Sequence, residues 1–105
     1  MRVGESGIQH RIDMLFDMSL NTSLDFVYTK PITKTTLAVI GVLGTTQETI
    51  DGVVTAANFW CFYDFDVGDV DEAGEWELNI TYNNTVPAPD DVFKNQTPIK
   101  FTVDA

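Results

Sequence analysis

The sequence predicts an all-β domain, an antiparallel β-sandwich of about seven strands. Three observations carry this. Apolar residues recur at every second position, most cleanly at Trp76, Leu78, Ile80 and Tyr82. Clusters of Gly, Asn, Asp, Ser and Pro separate these stretches at short intervals. No stretch with helical spacing lies between them, which favours an antiparallel arrangement over a parallel sheet. A small β-barrel is the alternative.

The first strand falls over 8–16, where Ile8, Ile12, Met14 and Phe16 share one face at period two. Residues 17–22 read as a turn or loop, with Asp17, Ser19 and Asn21 offering local hydrogen bonds. A second strand over 23–29 aligns Leu24, Phe26 and Tyr28, and it ends before Pro31, which has no N–H to give a ladder. The third, over 34–43, is rich in β-branched residues. Residues 44–49 break the pattern. Asp51-Gly52 is a turn signal, followed by a short strand at Val53-Val54-Thr55. Ala57 to Phe65 is nearly all apolar or aromatic and predicts a central strand buried on both sides. A loop over 68–74 leads into the strand 75–82, with Glu75, Glu77, Asn79 and Thr81 facing water. A long connection spans 83–96. The last strand, 97–104, sets Ile99, Phe101 and Val103 toward the core.

The chain has 105 residues, 44% hydrophobic and 21% charged, enough for one core. Residues 8–105 read as a single domain, and 1–7 as a flexible N-terminal arm that orders against a neighbour. No apolar run reaches the ~18 residues of a membrane helix, and the polar start lacks the apolar stretch of a signal peptide. Folding in a cytoplasm is therefore expected. A single cysteine, Cys61, excludes an internal disulfide. Set among aromatics and carboxylates, it reads as a small buried hydrophobe, because a reactive thiol wants basic neighbours. The net charge of −10, with six scattered basic residues, argues against nucleic acid and against an anionic membrane as partners.

Candidate chemistry is sparse. His10 is the only histidine; on the inward parity of the first strand it reads as a structural residue near a sheet end. No nucleophile elbow, phosphate-binding loop or zinc ligand set is present in the sequence. The acidic stretch Asp64, Asp66, Asp69, Asp71, Glu72, Glu75 and Glu77 is the one metal candidate. Asp64, Asp66, Asp69 and Asp71 could hold calcium between loops. The spacing does not match the helical calcium loop, and the competing reading is a solvated acidic end that protects an edge. Paired carboxylates would also suit glycoside hydrolysis, but a cleft-forming body is wanting. Trp60 is the aromatic to watch for sugar stacking, since its face, shared with Asn58, Phe62 and Asp64, is expected to be only partly buried. Four N-x-[ST] matches, at Asn21, Asn79, Asn83 and Asn95, read as a polar surface.

The order of these signals resembles small Ig-like β-sandwich proteins of bacteriophage tails, similar to the N-terminal domain of baseplate upper proteins. The residues that carry the resemblance are Asp17-Met18-Ser19, Lys30-Pro31, Asp51-Gly52, the segment Gly68-Asp69-Val70-Asp71-Glu72-Ala73-Gly74-Glu75-Trp76-Glu77-Leu78, and Phe101-Thr102-Val103. It departs from that pattern in the 83–96 connection and in its extra aromatics. The resemblance implies a virion structural protein, in tail, baseplate or fibre attachment, with no catalytic residue and no cofactor. Its partners would be other virion proteins, in several symmetric copies, after assembly in the host cytoplasm. A capsid decoration protein, or a calcium- or carbohydrate-binding module, is the alternative.

Overall fold

A computed structural model describes residues 1–19, 21–84, 91–94 and 97–105. Its regular structure among these residues is entirely β, in antiparallel sheets. The strands are β1 (Gln9–Asp13), β2 (Asn21–Thr29), β3 (Thr36–Ile40), β4 (Val42–Leu43), β5 (Glu48–Ile50), β6 (Val53–Thr55), β7 (Trp60–Asp64), β8 (Gly74–Asn84), β9 (Asp91–Lys94) and β10 (Ile99–Val103). One sheet runs β1-β7-β4 and another β10-β8-β2-β3, with β9 also on β8; β5 and β6 form a hairpin of their own. Among the described residues no sheet closes on itself.

Ten described strands replace the expected seven, for three physical reasons. The strand expected over 34–43 divides at Gly41. There the chain leaves the five-stranded sheet for the three-stranded one. A Cβ at Gly41 would lie 2.4 Å from the Phe26 ring, so only glycine fits the crossing. Next, the pattern break at 44–49 contains β5, which pairs with β6 through a two-residue turn. Asp51 and Gly52 have φ of 50° and 79°, the left-handed pair that a tight hairpin of this twist requires. Lastly, the expected 83–96 connection contains the end of β8 and all of β9, which pairs with Thr81–Asn84. Residues 85–90 and 95–96 of that connection, and Leu20 of the expected 17–22 turn, lie outside the described residues.

The alternation in β2, β8 and β10 is realised as expected. Leu24, Phe26, Tyr28, Trp76, Leu78, Ile80, Tyr82 and Val103 are buried. They share one core with Ile12 and Cys61 of the three-stranded sheet and with Met18, Phe65 and Val70 from loops. Ile8, Met14 and Phe16 pack against that core from either side of β1, although the strand itself is only five residues long. The segment 57–65 is central, between β1 and β4. Burial on both faces holds only at Trp60 and Cys61; Phe62 and Tyr63 are half-buried and Asp64 is exposed. Residues 1–7, set apart as an arm, make backbone hydrogen bonds with the body. Val3 N donates to Asp104 O, Gly4 N to Val70 O and Gly7 N to Phe65 O, and Asp104 N donates to Met1 O.

Candidate functional site

The acidic segment after β7 is the first place to look for chemistry, and the structure shows where each carboxylate goes. Asp69 turns back on its own loop: its Oδ2 accepts the Tyr63 hydroxyl at 2.6 Å and the Asp66 N–H at 2.8 Å. Asp71 instead reaches Lys30 Nζ at 2.9 Å. Glu72 clasps the turn after β2, accepting the Ile32 and Thr33 N–H groups at 2.9 and 3.0 Å and the Thr33 hydroxyl at 2.6 Å. These bonds, led by that from the Thr33 hydroxyl, hold the Glu72 carboxyl below its ordinary range. Glu75 lies 3.7 Å from Lys100. Asp64 and Asp66 are exposed. Of the four calcium candidates, Asp69 and Asp71 are directed to different partners, and Asp64 and Asp66 face outward. Among the described residues no three His, Cys, Asp or Glu side chains are grouped to hold a metal ion.

Burial next to this segment raises the Tyr63 hydroxyl pKa, and the hydrogen bond to Asp69 adds to the effect. Trp76, at the end of the same segment, is fully buried and donates its Nε1–H to Glu72 O at 2.9 Å. Lys30 lies over its ring at 6.0 Å from the centroid. The segment thus fastens three things: the 66–69 loop, the 30–33 turn and the start of β8.

The face of Trp60 is partly buried, as expected, with Asn58 and Phe62 half-buried and Asp64 exposed. Trp60 itself is enclosed, at only 4% exposed. Its Nε1–H donates to Thr46 O at 2.7 Å, and the Arg11 guanidinium covers its ring at 5.5 Å from the centroid. Gly44 lies so close that a Cβ there would be 2.0 Å from the indole. Arg11 also reaches Glu48 of β5 at 3.5 Å. Trp60, with the buried Ile50 and Thr55, lies outside the main core cluster. A ring enclosed in this way offers no platform for a sugar. Sequence parity puts Trp60 opposite Cys61, on the face away from the main core. It carries no sign that the chain after Gly44 folds back over that face.

His10 and Cys61 both point into the core side of the three-stranded sheet. The His10 Nδ1 shares a hydrogen bond of 2.9 Å with the Tyr28 hydroxyl, and its ring stacks on Phe65 and lies 4.7 Å from Phe101. Burial lowers its pKa to about 4, against a smaller opposing pull from Asp51. Burial pushes the Cys61 thiol up to about 12, so it remains protonated. His10 lines an open cleft of about 490 Å³, with Ile12, Asp51, Ile99 and Phe101 among its walls. The cleft lies where β1 and β10, the edge strands of the two sheets, part from each other. Sequence parity placed His10 inward, but the cleft depends on strand order and was not legible.

Among the described residues no buried side-chain nitrogen or oxygen lacks a hydrogen-bond partner. Among these residues no helix is long and apolar enough to cross a membrane. In comparisons with known proteins, no family model, no curated protein and no solved structure matches the chain.

Proposed function

We propose that this chain is a non-enzymatic structural protein of a tailed-phage virion, part of the tail, baseplate or fibre attachment. In this reading the two larger sheets make an Ig-like sandwich around the shared core, with β5–β6 an added hairpin. The observation that carries the structural role is the use made of the acidic segment. Asp69, Asp71 and Glu72 bond to Tyr63, Lys30, Ile32 and Thr33, so the middle of the acidic segment is committed to holding loops in place. A catalytic or metal-binding carboxylate pair would need its oxygens free to converge on one point. His10 and Cys61, the other reactive groups, are kept neutral by burial.

The virion assignment rests on the resemblance of Gly68–Leu78 and its flanking signals to phage tail proteins, and the bonds of that segment give it a physical sense. Glu72 and Trp76 together lock the entry into the longest strand, β8. Other virion proteins would be the partners, in several symmetric copies. The test is mass spectrometry of purified particles, followed by immunogold labelling of the chain. Peptides from it should be present in particles, and label should fall on the tail. Absence from particles overturns the proposal. Label on the head shell replaces it with a capsid decoration role.

A further inference from the structure

Edge strands show where a β protein can be extended, and among the described residues β3 offers such an edge without charge. Among the described residues β3 ends the five-stranded sheet, paired only with β2. The hydrogen-bond phase of the pair is fixed at its two ends: Gly41 N donates to Leu24 O at 2.8 Å, and Lys30 N donates to Thr35 O at 2.9 Å. Bonded and non-bonded pairs alternate along an antiparallel ladder. Odd-numbered residues of β3 therefore bond β2, and Thr36, Ala38 and Ile40 turn their N–H and C=O groups outward. The side chains of these three residues are exposed, Ile40 at 65%.

Natural edges are usually blocked by charge. β1 carries Arg11 and Asp13 at its outward positions, β10 carries Lys100, and β9 carries Asp91 and Lys94. Among the described edge strands of four or more residues, only β3 has no charged residue. The uncharged run extends from Thr35 to Gln47, between Lys34 and Glu48, in a chain of net charge −10.

We infer that β3 is a self-association edge, which pairs antiparallel with β3 of a second copy about a two-fold axis at Ala38. Charge selects this occupant. Two copies at −10 repel each other over most approaches, and this edge brings them together with no carboxylate opposite another. A basic partner would find nothing here to attract it and would be drawn to the acidic loops instead. The register is self-complementary. Ala38 faces Ala38 of the second copy, and Thr36 faces Ile40 in both directions, a β-branched pair of the kind that stabilises sheets. About six backbone hydrogen bonds form, joining the two five-stranded sheets into one. A closed two-fold interface of this type ends growth at the dimer.

The inference concerns the isolated chain, so its failure leaves the virion reading intact, and the reverse is equally true. Sedimentation velocity of the full chain from about 10 µM to about 1 mM should show a monomer–dimer equilibrium. Raising the salt concentration should strengthen association, because screening relieves the repulsion of like net charges. Ala38→Lys and Ala38→Glu, at an exposed side chain, should each be monomeric with the melting temperature of the dilute, monomeric wild type, and an equal mixture of the two should regain the dimer. Register is read by crosslinking, since Cys61 is buried. Ala38→Cys should oxidise to a covalent dimer. Thr36→Cys alone should not, with its copies about 13 Å apart, but a mixture of Thr36→Cys and Ile40→Cys should. A wild-type chain that remains monomeric at about 1 mM overturns the inference. So does a dimer that survives Ala38→Lys, which would move the interface to another surface such as Val53 and Val54 of β6.

Discussion

The Nδ1 of His10 and the hydroxyl of Tyr28 are 2.9 Å apart, a polar bond that ties β1 of the three-stranded sheet to β2 of the five-stranded one. Both groups sit among Phe65 and Phe101 rings, where a charge would be poorly solvated. Burial accordingly lowers the His10 pKa and raises that of Tyr28.

A pH dependence follows from the His10 shift. The folded-state pKa, about 4, lies below the ordinary 6.5, so the unfolded chain binds this proton first. Stability is complete above pH 6.5 and falls as pH drops from there toward about 4. The loss between pH 7 and pH 5 should be about 2 kcal/mol. Urea unfolding at the two pH values measures it, and His10→Gln should remove most of the difference. An equal loss in the variant would assign the effect to other groups.

The Cys61 thiol should be silent in the native protein. With its pKa near 12 and no exposed surface, it should not react with a disulfide reagent at pH 8, and should react fully in denaturant. In native buffer, slow labelling should follow the opening of the β1–β7–β4 sheet. Rapid labelling of folded protein would contradict the buried placement.

Gly44→Ala should destabilise the protein by about 1–3 kcal/mol, because the new methyl group would overlap the Trp60 indole. Replacing the indole with a smaller side chain makes room. Trp60→Leu combined with Gly44→Ala should therefore cost less than the sum of the two single changes. Thermal or urea denaturation of the four proteins closes this cycle; simple additivity would show that the two residues do not compete for space.

Removing the Glu72 carboxylate should loosen the 30–33 turn without unfolding the core. Glu72→Ala deprives the Ile32 and Thr33 N–H groups of their acceptor. Amide exchange at those two positions should accelerate, while Leu78 and Ile80 within β8 remain protected. Unchanged exchange at Ile32 and Thr33 would show that the clasp contributes nothing to their order.

The all-β class and the inward set of β2, β8 and β10 were legible in the residues alone. Period-two burial is a local property: once Trp76 faces the core, Leu78, Ile80 and Tyr82 must follow. The sequence also marked the Asp51-Gly52 turn, since few residue pairs adopt two successive left-handed conformations. Sheet membership was decided only in three dimensions. The split at Gly41 depends on the Phe26 ring lying beneath it, and the enclosure of Trp60 depends on Gly44, Thr46 and Arg11 converging from separate parts of the chain. The use of Asp71 and Glu72 as loop fastenings was likewise hidden, because Lys30 and Thr33 are some 40 residues away in sequence. Strand order alone leaves β3 on an outer edge, and that edge is where the residues carry no charge. Local chemistry sets which way a side chain points, whereas long-range packing sets what it meets.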